Sequence, residues 1–129
     1  MEEAKVLRDL RVLLIEDEPD SAEIIHHMLL HYDDLEIHHV TSAEDAYSRL
    51  SGAVYSLLVV DLALPGIDGF ELMRQLRQHS EYAHLPTIAV TAYPSAEHKR
   101  LSMTVGFDRF LPKPLDPEVF EASLRDLIG

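Results

Sequence analysis

One run of residues constrains this chain more than any other: Leu57-Leu58-Val59-Val60, closed by Asp61 and followed by Leu62-Ala63-Leu64-Pro65-Gly66. A single charge in so long an apolar stretch reads as a strand buried on both faces, as in parallel sheets covered by helices on either side. Asp61 then falls at the carboxyl end of a central strand, the edge where open α/β sheets bind ligands. Taken alone, the acid is equally well explained as the point where a strand meets solvent. The remainder of the chain decides between the two.

The same alternation recurs from end to end, with no repeat, low-complexity stretch or Gly/Ser linker to divide it. A strand over 11–15 enters the acidic turn Glu16-Asp17-Glu18-Pro19, and a helix over 20–31 follows with Ala22, Ile25 and Leu29 on one face. A strand over 36–40 precedes Thr41-Ser42, a cap for a helix through residue 50 with Ala43, Ala46 and Leu50 inward. The third strand covers 56–62, and a helix over 69–78 uses Leu72 and Leu76. The fourth strand, 87–91, follows Pro86, and the helix over 95–105 ends where Gly106 can cap it. A short strand over 109–111 precedes Pro112-Lys113-Pro114. The last helix opens at Asp116-Pro117, an N-cap acid with proline at the first helical position, and buries Val119, Phe120 and Leu124. Five β/α units in succession predict an α/β fold built on a doubly wound parallel sheet.

A length of 129 residues suits one domain able to bury a core without staples, and 47% hydrophobic content suits a folded globule. The 11 Lys and Arg against 23 Asp and Glu leave a formal net charge of −12. Such a surface is repelled by nucleic-acid backbones and anionic lipid, so neither is expected as a direct partner. The lack of cysteine excludes disulfides, thiol catalysis and cysteine metal sites, and fits a reducing compartment. Met1-Glu2-Glu3-Ala4-Lys5 carries acids with no long apolar core behind it, and no run reaches membrane-span length, so a cytoplasmic location is expected.

Right-handed crossovers bring the ends of all five strands to one edge of the sheet. Glu16 and Asp17 follow strand one, Asp61 ends strand three, Thr91 ends strand four and Lys113 follows strand five. Three carboxylates gathered in one crevice repel one another unless a cation holds them. Hard oxygen ligands partly open to water suit Mg²⁺. A carboxylate nucleophile beside Mg²⁺ can accept a phosphoryl group as an acyl phosphate, with Lys113 and Thr91 contacting the transferring oxygens.

At these residues the chain resembles the receiver domains of two-component response regulators. The resemblance runs from Arg11 to about Ile128 and rests on five motifs in order. They are Val12-Leu13-Leu14-Ile15-Glu16-Asp17-Glu18-Pro19, Val59-Val60-Asp61-Leu62-Ala63-Leu64-Pro65-Gly66-Ile67-Asp68-Gly69, Ile88-Ala89-Val90-Thr91-Ala92, Gly106-Phe107-Asp108-Arg109-Phe110 and Leu111-Pro112-Lys113-Pro114-Leu115. It implies a flavodoxin-like five-stranded sheet of order 2-1-3-4-5 flanked by five helices. Residues 1–129 would then be one receiver domain, with 1–10 a short N-terminal extension.

By the same resemblance Asp61 is the phosphoacceptor, and Glu16, Asp17, Asp61 and the Ala63 carbonyl hold Mg²⁺. Thr91 is the hydroxyl that follows the phosphoryl group, Lys113 the cationic partner of Asp61 or its phosphate, and the Lys113-Pro114 bond is cis. Phe110 matches an aromatic whose rotamer couples to activation, although an aromatic in a strand is also ordinary core. The implied protein is a signalling phosphoacceptor rather than an enzyme. It takes its phosphoryl group from a histidine kinase or phosphotransfer protein and acts on a downstream protein target, with a homodimer through the face of helix four, strand five and helix five.

Some positions depart from the family. Glu16 stands where Asp is commoner, and neither Ala63 nor Tyr93 offers a group to orient an attacking water, which predicts a long-lived acyl phosphate. Pro94 fixes its own φ and biases Tyr93 away from helical angles; it either limits the travel of this loop or only trims unfolded-state entropy. Ile24, Met28 and Leu30 flank the inward set of helix one, as extra core or as a kinase-docking patch. Of the eight histidines, His27 and His31 share a helical face and His38-His39 lie on the next strand. With no cysteine and no acid at ligand spacing, they read as surface residues rather than a metal site.

Three rivals remain. A phosphohydrolase wants a second carboxylate two residues after the nucleophile, where this chain has Ala63. A flavodoxin-like nucleotide binder needs a Gly/Ser/Thr cradle where Glu16-Asp17-Glu18 would repel phosphate. A degenerate receiver would bind partners without being phosphorylated. The chain ends at Gly129, which leaves a stand-alone regulator or a receiver cut from a longer chain.

Overall fold

The computed structural model describes residues 10–32 and 35–128. The segment 1–10, read above as an extension, lies outside them except for its last residue. Five strands alternate with five helices: β1 (Leu10–Ile15), α1 (Pro19–Leu29), β2 (Leu35–Val40), α2 (Ala43–Gly52), β3 (Leu57–Asp61), α3 (Gly69–Leu76), β4 (Thr87–Thr91), α4 (Ala96–Val105), β5 (Arg109–Pro112) and α5 (Pro117–Ile128). A single 3₁₀ turn, Ser80–Tyr82, separates α3 from β4. The strands form one parallel sheet of order β2-β1-β3-β4-β5. That is the order implied by the resemblance.

Alternation along the central strands divides the core in two. Leu13, Ile15, Leu58, Val60 and Ala89 face one side, where Ala43, Ala46 and Leu50 of α2 and Leu72, Met73 and Leu76 of α3 cover them. Val12, Leu14, Val59, Ile88 and Val90 face the other, under Ala22, Ile25 and Leu29 of α1 and Phe120 and Leu124 of α5. Every residue of β3 and β4 is buried.

Three expectations are corrected. α1 runs from Pro19 to Leu29 rather than over 20–31, because proline takes the first helical position and the Leu30 N–H closes the end on the His26 carbonyl. Val119 is exposed rather than buried: Phe120, Ser123 and Leu124 form the inward stripe, and Val119 lies one helical step off it. Ile24 and Leu30 are also exposed, so they do not extend the core, whereas Met28 packs partly against it.

Two glycines are required by geometry. Gly106 ends α4 at φ +115°, a conformation that side chains rarely adopt. At Gly69, the first residue of α3, a Cβ would stand 2.8 Å from the Asp61 carbonyl oxygen and 2.8 Å from Leu62 Cα. The start of α3 is thereby seated directly on the backbone that carries Asp61.

Candidate phosphoacceptor site

The parallel register sets Ile15 beside Val60, Asp61 beside Val90 and Thr91 beside Pro112, so the carboxyl ends of these strands share one edge. Glu16 is fully buried there; its Oε1 accepts Lys113 Nζ at 2.7 Å and its Oε2 accepts the Glu18 N–H at 3.1 Å. Asp61 is nearly buried, with Oδ2 3.5 Å from Lys113 Nζ and Oδ1 accepting the Ala63 N–H at 3.0 Å. Asp17, on the exposed side of the turn, completes a group of three whose carboxylate oxygens lie within 4.8 Å of one another. Among the described residues this is the one group of three or more His, Cys, Asp or Glu side chains placed to hold a metal ion. No histidine belongs to it.

The electrostatics follow from crowding. Burial, and then the hydrogen-bonded carboxyl of Asp61, push the Glu16 pKa up to about 7 against the opposing pull of Lys113. Burial works against the Lys113 ammonium, but Glu16 and Asp61 outweigh it and its pKa stands above the ordinary lysine value. Lysine and acids stabilise each other, yet one ammonium is shared by two buried carboxyls. An all-oxygen donor set with surplus negative charge and one solvent-facing member fits a hard divalent cation.

Lys113 therefore makes its short contact with Glu16 rather than Asp61. The extra methylene of Glu16 carries its carboxyl to Nζ, a pairing across 97 positions that spacing alone could not reveal. Ser21 Oγ, in the first turn of α1, adds a third contact to Nζ at 3.2 Å. His39 was also missed: its Nε2 lies 2.8 Å from the Glu16 carbonyl oxygen and must carry the proton, since a carbonyl only accepts. His38 is not a plain surface residue either, because it is half-buried with Nδ1 2.6 Å from the Tyr55 hydroxyl.

Thr91 is buried, and its Oγ1 accepts the Tyr93 N–H at 3.0 Å. Its carbonyl accepts the Lys113 N–H at 2.8 Å, which ties the ends of β4 and β5 together. The Lys113-Pro114 peptide bond is cis. Phe110 is half-buried against the α2/α3 side of the core. Ala63 and Tyr93 are exposed at the mouth. A groove of about 330 Å³ runs from Lys113 along Ser21, Ile24, Ile25 and Leu115, with Ala92 also in its wall.

A doubly wound sheet with clustered acids, a hydroxyl and a lysine at its carboxyl edge defines a receiver-like α/β protein. Residues 12–125 match the family described as response regulator receiver domain. The chain belongs to that family, whose members are signalling modules rather than enzymes of the usual kind. It is 36% identical over 114 residues to an uncharacterized 14.6 kDa protein of Leptolyngbya boryana, covering 88% of this chain and 86% of that one. It is 32% identical to the transcriptional regulatory protein TrcR of Mycobacterium tuberculosis, covering 92% of this chain but 45% of that one. The chain thus spans about half the length of several curated relatives. Among solved structures, a response regulator from Chloroflexus aurantiacus superposes with a TM-score of 0.87 at 26% identity, over 92% of this chain and 97% of that one. The receiver domain of a histidine kinase from Syntrophus aciditrophicus does so with a TM-score of 0.82 at 27% identity, over 92% and 89%.

Proposed function

We propose that Asp61 accepts a phosphoryl group from a phosphohistidine of a histidine kinase or phosphotransfer protein. An Asp61 oxygen attacks phosphorus, the N–P bond breaks, and an acyl phosphate forms while the imidazole leaves. The observation that carries this reading is the convergence of Glu16, Asp17, Asp61 and Lys113 at one sheet edge. Glu16, Asp17, Asp61 and the Ala63 carbonyl are the residues that would hold Mg²⁺. Bound there, Mg²⁺ would neutralise charge on the transferring oxygens.

The chain's own groups supply the rest. The Ala63 N–H holds one Asp61 oxygen, which orients the carboxylate. Lys113, already near Oδ2, is placed to turn from Glu16 toward the new charge. Thr91 turns its hydroxyl from the Tyr93 amide to a phosphoryl oxygen, and α4, β5 and α5, with Phe110 beside them, take a second packing that a downstream protein, or a second copy of the chain, reads. The module is proposed to be one receiver domain in the cytoplasm; no helix among the described residues is long and apolar enough to cross a membrane. The exposed Ile24 on α1, beside the site, suits docking of the phosphodonor.

Incubation with acetyl phosphate and Mg²⁺, followed by intact mass measurement, is the test. Wild type gains one phosphoryl group and Asp61→Asn gains none. No gain on wild type would overturn the reading and leave a phosphorylation-independent interaction module. Because Ala63 and Tyr93 orient no water, the label is expected to outlast seconds in the purified protein, and Ala63→Asn to shorten its life several-fold.

A further inference from the structure

The loop between β4 and α4 is held at both polar atoms of one residue. The Tyr93 N–H is donated to Thr91 Oγ1 at 3.0 Å, and the Tyr93 carbonyl oxygen lies 3.0 Å from His98 Nδ1. A carbonyl only accepts, so Nδ1 must carry the proton. Pro94 follows, which restricts the backbone of Tyr93 further. The Tyr93 side chain is 70% exposed and contributes little to holding the loop. Its place is set by these two hydrogen bonds and by proline.

His98 is itself braced on three sides. Its backbone N–H is capped by Ser95 Oγ at 3.0 Å, and its carbonyl accepts the hydroxyl of fully buried Ser102 at 2.8 Å. Its ring lies 5.8 Å, centroid to centroid, from Phe70 in the first turn of α3. The neighbouring Gly69 rests on the Asp61 carbonyl. One half-buried imidazole thus joins the loop after Thr91 to the helix seated on Asp61.

We infer that His98 is a positioning residue: by holding the Tyr93 carbonyl it keeps the Tyr93 N–H against Thr91 Oγ1 and so keeps that hydroxyl turned from Asp61. The inference rests on the proposed phosphoacceptor chemistry. For Thr91 to reach a phosphoryl oxygen, Oγ1 swings away from the Tyr93 amide, and an amide held in place by His98 and Pro94 cannot follow it. His98 therefore weights the equilibrium toward the unphosphorylated arrangement. Removing it lowers the cost of activation by about one hydrogen bond, roughly a 2- to 10-fold shift in population.

The test compares wild type, His98→Ala and His98→Asn, the last of which places a carboxamide N–H near the Nδ1 position. In the unmodified, metal-free proteins, NMR reads the amide exchange of Tyr93 and the side-chain rotamer of Thr91. His98→Ala is expected to speed Tyr93 exchange and average the Thr91 rotamer, and His98→Asn to restore both. Titration with beryllofluoride and Mg²⁺ then reads the coupling, with His98→Ala binding about 2- to 10-fold more tightly than wild type and His98→Asn close to it. Unchanged exchange and rotamer in His98→Ala, or equal or weaker beryllofluoride binding, would overturn the inference. Failure of wild type to bind beryllofluoride would instead overturn the phosphoacceptor reading, while the unmodified proteins still decide whether His98 holds the loop.

Discussion

α3 and α4 lie side by side on one face of the sheet and are held there by different forces. α3 buries Leu72, Met73 and Leu76 and starts on a glycine pressed against the Asp61 backbone. α4 buries only Ser102, while Leu101 and Met103 are exposed. Its one partly buried hydrophobic contact is Val105 on the core, and its polar ties to its surroundings are His98 Nδ1 at the Tyr93 carbonyl and the guanidinium of Arg77 on the Gly106 carbonyl; the Ser95 cap and the Ser102 hydroxyl on the His98 carbonyl are bonds within the helix. Apolar burial is proportional to area and hard to exchange piecemeal, whereas hydrogen bonds have alternative partners of similar worth. The helix nearer Asp61 is anchored by apolar burial, and the one carrying the loop after Thr91 rests more on polar contacts.

The largest expected effect falls on the anchored side. Leu72→Ala should cost roughly 2–5 kcal/mol in chemical denaturation, since it opens a cavity between α3 and the sheet. A loss as small as that of a surface change would break the distinction. Arg77→Met comes next. Arg77 donates to the Tyr82 and Gly106 carbonyls and to Thr87 Oγ1 beside Asp108, so the variant leaves several half-buried acceptors unpaired and should cost about 2 kcal/mol in the same measurement.

A pH series sharpens the comparison at the sheet edge. Without divalent cation, Glu16 has a folded pKa of about 7 against an ordinary 4.5, so the folded state holds its proton more tightly than the unfolded chain. The stability from that proton is complete below about pH 4.5 and lost as pH rises through about 7. Urea midpoints of wild type should therefore fall across this window relative to those of Glu16→Gln; parallel curves would contradict the crowding of the carboxyls. Smaller still is Ser95→Ala, expected to cost about 1 kcal/mol through the lost helix cap. Leu101→Ala, on the exposed side of α4, should change thermal stability by less than about 0.5 kcal/mol.

Much of the architecture was legible in the residues. β3 and β4 are buried along their whole length, and Ser42, within the Thr41-Ser42 pair read as a helix cap, is the cap of α2. Val119 misled because a helix one step out of phase presents the same composition with a different side inward. Arg77 follows directly on α3 and has no sequence signal of its role. Its bonds to Tyr82, Gly106 and Asp108 join segments 5 to 31 positions away, and no local pattern encodes them.

The sequence by itself determined the α/β class, the order of the elements and which acids, hydroxyl and lysine reach the carboxyl edge, because strand periodicity and right-handed crossovers leave few alternatives. Only the tertiary structure decided who touches whom there. Lys113 pairs with Glu16 more closely than with Asp61, and Thr91 faces the amide of Tyr93, whose carbonyl His98 holds. Such contacts depend on side-chain reach and rotamer across a packed crevice, where one methylene or one turned hydroxyl changes the partner, and periodicity carries no record of either.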